Sequence, residues 1–293
     1  MKKFKKPDGR KSHGRPGPQG RSHGPPQGRS ISRGPQGPRG GHASVRSNSP
    51  AGRPVIGIHA VTELLNVRPR GITQFWIRDN YTDHPGLTEL AETAERLKVR
   101  VVSHPPGVLD KITSNHQGVI AFTPEEPEAD WRALESAETA TLIALDEVED
   151  PHNLGAVLRT AWLFGAAAIL TPEHRAAQLS PAVSKVAQGA VEHVPVVRDS
   201  ALPQQLEELK KHGFWVLGLS HKAKQSLYEL EIPKKVVWVL GSEASGLRKS
   251  VEGACDDLIS IPQAAPNASY NVSVAAAVAL AETHRQRSLH IKN

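Results

Sequence analysis

Three segments in the second half of the 293-residue chain gather polar side chains where an apolar strand gives way to a helix. The first runs Glu149-Asp150-Pro151-His152-Asn153-Leu154-Gly155 and continues to Arg159-Thr160. It stands at the carboxyl end of a strand, the edge at which open α/β sheets bind ligands. An N-cap is enough to explain Asn153, and a surface ion pair is enough to explain Arg159. Nearly two helical turns separate them, so Arg159 is expected roughly above Asn153. The second segment is Val239-Leu240-Gly241-Ser242-Glu243-Ala244-Ser245-Gly246-Leu247. Two glycines around a carboxylate allow backbone to approach a ligand closely. A tight turn with Glu243 in the first turn of the next helix is the plainer alternative. The third runs from Ile259-Ser260-Ile261-Pro262 through Ser269-Tyr270-Asn271-Val272-Ser273. Ser269, Asn271 and Ser273 crowd a helix start that needs only one capping residue, and free amides and hydroxyls there can hold a polar ligand.

Several chemistries have no footing in the sequence. No Gly-x-Gly-x-x-Gly follows the first strand, and neither a phosphate-loop Gly-Lys-Ser/Thr nor His-Glu-x-x-His occurs. Gly-x-Ser-x-Gly is also absent. The 14 histidines are scattered, and no metal is expected. The single cysteine, Cys255, excludes an intramolecular disulfide framework and fits a reducing compartment. No apolar run approaches the ~20 residues of a spanning helix, and no apolar stretch follows the basic start, so a cytoplasmic protein without a membrane partner is expected.

The polar segments need a scaffold. Strand signals fall at Thr141–Asp146, Ala167–Thr171, His193–Val197, Phe214–Leu219, Val236–Leu240 and Leu258–Ile261. Helical spacing falls between them at Leu154–Phe164, Pro181–Gln188, Leu202–His212 and Arg248–Gly253, with a last helix from about Asn271 to Arg287. This alternation predicts an α/β domain over 140–293, its mostly parallel sheet covered on both faces. Residues 55–124 read as a smaller α/β unit. Val55–Ile58 reads as a short strand or a lead-in, further strands are expected at Gln74–Arg78, Val99–Val102 and Gly118–Phe122, and helices at His59–Asn66, Leu87–Lys98 and Pro106–Thr113. Residues 125–139, acidic and rich in proline at their start, read as a linker.

Charge is unevenly distributed. The first 54 residues hold five Lys and eight Arg against Asp8 alone, a net +12, which leaves −6 for the rest of a chain whose total is +6. They also hold 11 Gly and 9 Pro without a strict Gly-X-Y period, so a disordered basic tail is expected rather than collagen. Such a tail attracts polyanions by counterion release, and nucleic acid is the partner it fits. A solvated tail that keeps the chain soluble is the plainer alternative.

Taken in order, Asn153-Leu154-Gly155 with Arg159-Thr160, Gly241-Ser242-Glu243 with Gly246-Leu247, and Ile261-Pro262 with Ser269-Tyr270-Asn271-Val272-Ser273-Val274-Ala275 resemble the SpoU (TrmH) family. That family is the branch of the SPOUT superfamily that methylates RNA ribose 2′-hydroxyls. In the front unit, Gly57-Ile58-His59-Ala60-Val61 and His116-Gln117-Gly118-Val119-Ile120-Ala121 resemble the small RNA-binding domain of bacterial 23S rRNA guanosine-2′-O-methyltransferases, a domain similar to the ribosomal L30e fold. Tail and body together look most like a bacterial subgroup termed YfiF-like.

The resemblance implies a catalytic domain with a C-terminal trefoil knot, a homodimer, and S-adenosylmethionine held largely by backbone groups. It implies RNA as substrate, rRNA before tRNA. By position, Leu240, Gly241, Glu243, Ile261, Tyr270 and Asn271 would border the cofactor. Arg159, Asn153, Glu243, Ser269 and Asn271 would match the family's polar catalytic set. The family proposal makes the arginine at position 159 a general base. A phosphate clamp is physically easier, because a guanidinium keeps its proton. An RNA-binding protein of the same fold without methyl transfer, acting in ribosome assembly, is the alternative function. Many relatives read Ile-Pro-Met-x-Gly where this chain has Ile261-Pro262-Gln263-Ala264-Ala265, and a Cβ at 265 removes room and freedom of φ.

Overall fold

The structure, a computed structural model, describes residues 50–265 and 268–290. The tail expected over 1–54 lies outside the described residues as far as residue 49. From Arg53 the chain is already strand, two residues before the expected boundary.

In chain order the smaller unit comprises β1 (Arg53–Ile56), α1 (Ile58–Val67), β2 (Gln74–Arg78), α2 (Pro85–Arg96), β3 (Val101–His104), α3 (Pro106–Leu109) and β4 (Val119–Thr123). Its sheet runs β1-β4-β2-β3, antiparallel except for the β2–β3 pair. Alternation along β2 assigns its faces: Phe75 and Ile77 join the core under α1 and α2, while Trp76 packs on the opposite side with Ile120, Phe122 and Leu109. The helix expected at Pro106–Thr113 is one turn long, and the chain continues past it in turns, with Thr113 N–H bonded to Leu109 O at 3.2 Å. The two front motifs meet in space. Gln117 Oε1 accepts from the backbone N–H of Ile58 at 3.1 Å and so closes the start of α1.

The stretch expected as a linker contains α4 (Trp131–Ser136), capped by the Asp130 carboxylate, which accepts from Ala133 N–H at 3.0 Å. Trp131 and Leu134 lean on the core of the larger unit. That apolar pair, hidden in an acidic context, makes the segment a packed element.

The larger unit follows: β5 (Ala140–Asp146), α5 (Pro151–Leu163), β6 (Ala168–Pro172), α6 (Pro181–Ala187), β7 (Val196–Asp199), α7 (Leu202–Lys211), β8 (Trp215–Leu219), β9 (Gln225–Ser226), β10 (Lys235–Gly241), α8 (Lys249–Glu252), β11 (Asp257–Ser260) and α9 (Val272–His290). The seven-stranded sheet has the order β7-β6-β5-β10-β8-β11-β9, and every pair is parallel. Alternation again divides the faces. Ile143 and Leu145 of β5, with Trp238 and Leu240 of β10, face the core shared with α5, α6 and α9. Leu142 and Ala144, with Val237 and Val239, face the core under α7 and α8. Fully buried Trp238 places its indole N–H on Thr283 Oγ1 of α9 at 3.0 Å. The strand expected from His193 begins only at Val196, because a 3₁₀ turn at Ala190–Glu192 and Pro195 occupy the approach. β9 carries no apolar signal and was not expected.

Candidate active site

Asn153, Glu243 and Asn271 converge from three elements at the carboxyl edge of β5 and β10. Asp150, not Asn153, caps α5: its carboxylate accepts from His152 N–H at 2.9 Å. Asn153, 8% exposed in the first turn of the helix, is thereby free to face the loop after β10. Its amide nitrogen donates to Glu243 Oε1 at 3.1 Å. Asn271 Nδ2 donates to the same oxygen at 2.5 Å and to Asn153 Oδ1 at 2.9 Å. Asn271 also begins α9, its carbonyl oxygen accepting from Ser273 N–H at 2.8 Å and Ser273 Oγ–H at 2.6 Å. One carboxylate therefore ties three chain segments together.

The loop carrying Glu243 is shaped by its glycines. Ser242 and Gly246 pair across it, with Gly246 N–H on Ser242 O at 2.9 Å. A Cβ on Gly241 would lie 2.1 Å from the Gly246 carbonyl carbon, so only glycine lets the loop fold back here. Gly155 does different work: a Cβ there would reach Val186 at 2.7 Å, so it allows α5 and α6 to touch.

A second polar pair, missed at the level of sequence, anchors the far end of the same loop. Asp146, the last residue of β5, is fully buried and accepts from Arg248 N–H at 2.8 Å and Arg248 Nε–H at 2.6 Å. Next to it Glu147, at φ +57°, pairs with Arg175, at φ +56°, at 2.9 Å. Two non-glycine residues in the left-handed region at one sheet edge mark a backbone held by its surroundings. Asp146 reads as an ordinary strand end, and Arg248 is 102 positions away, so no local signal joins them.

The other expected residues stand apart from this hub. Arg159 is exposed and, among the described residues, has no hydrogen-bond or ion-pair partner. The expectation that it lies above Asn153 is corrected by helix geometry: six residues advance about 600°, leaving the side chains about 120° apart around α5. Ser269 is exposed, outside the hydrogen bonds that join Asn271 to Glu243. Leu240 and Ile261 are buried in one apolar cluster at the ends of β10 and β11. Tyr270 is 40% exposed and its phenol donates to Pro262 O at 3.1 Å. Gln263 Nε2 donates to Ala268 O at 2.6 Å, bracing the loop, and Ala265 is not among the non-glycine residues at positive φ. A cavity of about 730 Å³ between Pro124–Ala129, Trp131 and Val196–Val197 shares none of these residues. Among the described residues no group of three His, Cys, Asp or Glu is arranged to hold a metal, and no helix is long and apolar enough to cross a membrane.

Residues 140–281 match the SpoU rRNA methylase family, and residues 54–129 match the family described as RNA 2′-O ribose methyltransferase substrate binding. The 23S rRNA (guanosine-2′-O-)-methyltransferase RlmB of Neisseria meningitidis is 37% identical over 81% of this chain and 96% of its own. The chain belongs to the SpoU family. The enzyme of the same name from Yersinia pestis is 40% identical over 80% of this chain and 98% of its own. The crystal structure of the SpoU methyltransferase AviRb from Streptomyces viridochromogenes, in complex with AdoMet, superposes with a TM-score of 0.68. It covers 80% of this chain and 90% of that one at 22% identity, so the likeness is one of fold. The three segments whose side chains and backbone build the edge described above all lie within residues 140–281.

The residues there suit a nucleoside cofactor better than a metal. A folded-back loop without a Cβ at 241 and a half-exposed Tyr270 offer backbone polar groups and an aromatic face, which is the chemistry a purine and ribose require.

Proposed function

We propose that the chain transfers a methyl group from S-adenosylmethionine to a ribose 2′-hydroxyl of 23S rRNA, on a guanosine as in the relatives named above. One observation carries the reading: Glu243 Oε1 receives Asn153 and Asn271 together, fixing the three family segments as one unit. The cofactor supplies a methyl group already activated by its sulfonium. What remains for the protein is to position the ribose, remove a proton and manage charge.

Leu240, Gly241, Glu243, Ile261, Tyr270 and Asn271 are the residues assigned to hold the cofactor, through backbone groups and apolar contact. Glu243 and Asn271 act as staples, keeping the loop after β10 and the start of α9 in register with α5. Arg159, without a partner among the described residues, is available to an RNA phosphate. A guanidinium presents five fixed donors and no acceptor, so Arg159 clamps the phosphate in a two-pronged hydrogen bond and orients the ribose. The proton on the 2′-oxygen then passes to an RNA phosphate oxygen or to water. Ser269, exposed beside Asn271, is assigned to the substrate side.

The finer architecture is part of the same reading. Residues 55–124 serve as an L30e-like RNA-binding domain. The larger domain carries the C-terminal trefoil knot that the family resemblance implies. A homodimer in the cytoplasm completes the site, supported by Leu163 at the end of α5 and Val274 on α9, which are 69% and 46% exposed.

Incubation with labelled S-adenosylmethionine and RNA from cells lacking this protein tests the proposal. One 23S fragment gaining label, with the modified linkage resistant to alkali, is the expected result. Absence of label together with absence of cofactor binding by calorimetry would overturn it.

A further inference from the structure

We propose that Glu192 and His193 clasp the small domain to the larger one and thereby act as positioning residues for RNA. The inference rests on the methyl-transfer reading, which assigns RNA binding to the small domain.

Glu192 sits in the 3₁₀ turn between α6 and β7, its side chain 1% exposed. Both of its oxygens are taken by the small domain. Arg53 of β1 makes a two-pronged contact, Nη1 to Oε1 at 2.8 Å and Nη2 to Oε2 at 2.7 Å. Arg68, directly after α1, donates to Oε2 as well. The next residue repeats the pattern: His193 Nε2 lies 2.8 Å from Glu63 Oε2 of α1. The His193 ring stacks on Trp162 of α5, centroids 4.3 Å apart and planes 12° from parallel. Gly189 completes the contact. It adopts φ +94°, and a Cβ there would lie 2.6 Å from Glu63 Cγ.

Stability alone does not call for this chemistry. An ion pair taken out of water gains little over an apolar contact of the same size. Here two guanidiniums face one carboxylate, and the Nε atoms of Arg53 and Arg68 are buried without partners. What a forked Arg–carboxylate contact adds is direction, since both nitrogens must meet both oxygens. Through Trp162 the contact also reaches the helix that carries Asn153 and Arg159. RNA held on the small domain is therefore presented to α5 in one orientation, and orientation is what a positioned bimolecular reaction requires.

The test uses the full chain with Glu192→Gln, and Arg68→Gln as a second variant that leaves the Arg53–Glu192 pair balanced should the first fail to fold. X-ray scattering reads domain docking, calorimetry reads S-adenosylmethionine affinity, and methyl transfer reads KM and kcat separately. Expected for Glu192→Gln are an expanded scattering profile, unchanged cofactor affinity, a KM for RNA raised about tenfold, and kcat at saturating RNA within about twofold. Arg68→Gln should shift KM in the same direction by less. A folded variant with a compact profile and the KM of the parent overturns the clasp. If the parent transfers no methyl group the methyl-transfer reading fails, while the scattering comparison still decides whether the domains are clasped.

Discussion

Asn271 donates to Glu243 Oε1 at 2.5 Å while its own carbonyl oxygen accepts from the N–H of Ser273 at 2.8 Å. Reversing the amide would break both bonds, so the start of α9 and the loop after β10 are locked by one side chain. Asn271→Asp sets a second carboxylate against Glu243. Like charges at that distance repel, and methyl transfer should fall on the order of a hundredfold, in a fixed-time assay with labelled cofactor.

Glu243 uses one oxygen as a double acceptor, which a glutamine carbonyl can replace. Glu243→Gln should therefore retain activity within about tenfold, whereas Glu243→Ala strands the Asn153 amide, takes one of two acceptors from Asn271, and should cost about 1–3 kcal/mol of stability along with most turnover. Paired denaturant melts and initial rates separate these outcomes. Equal loss in both variants would make the charge itself essential.

Arg159 as a phosphate clamp predicts that Arg159→Ala loses turnover and weakens RNA binding, with a shallower salt dependence. Arg159→Lys keeps the charge but not the fork, and should recover affinity more than rate. Filter binding over a salt series, alongside single-turnover rates, checks both. Turnover lost with RNA affinity intact would instead assign Arg159 to proton removal.

Gly241→Ala forces a methyl group to within 2.1 Å of the Gly246 carbonyl carbon. The atoms it meets, the Gly246 carbonyl and the Leu247 nitrogen, are all backbone, so the loop must move. Calorimetry should record cofactor binding weakened at least tenfold, with a stability loss of about 1–3 kcal/mol.

Burial pushes the Cys255 thiol up to about 12, although Lys210 nearby works in the opposite direction. The thiol stays protonated in the folded chain at pH 8 to 9, while an unfolded chain ionises in that range, so folding loses support as pH rises from about 9 toward 12. A thiol-specific reagent at pH 8.5 should label Cys255 only slowly until denaturant is added.

Most strands of both cores are legible because alternation and β-branched runs are local properties, although β1 and β3 are each displaced by two residues from their expected spans and β9 has no signal. β2 at Gln74–Arg78 matches its expected span, and β10 extends one residue beyond its own at each end. Site chemistry was legible in part. Of Asn153, Glu243 and Asn271, only Asn271 lies in a stretch with more polar residues than capping needs, the other two being marked by the family resemblance, and the three meet. Partnerships were not legible where they cross the fold. Asp146 and Arg248 lie 102 positions apart, and Glu192 lies 139 from Arg53. Glu192 resembles any surface acid until the packing of α1 against its turn removes it from water. Counting turns alone does not place Arg159, because six residues leave its side chain about 120° from that of Asn153 around α5.

The sheet order holds a consequence for how the chain is made. β5 and β10 lie side by side, Ala140 opposite Lys235, with four other strands between them in sequence. The small domain closes its own sheet by Thr123, early in synthesis. The central pair of the larger sheet cannot form until β10 has left the ribosome, and α9, which seals Trp238, comes later still. During that interval Ile143 and Leu145 have no permanent neighbour on the β10 side, so translation speed and chaperone capture over the span from β6 to β9 should govern the yield of native protein.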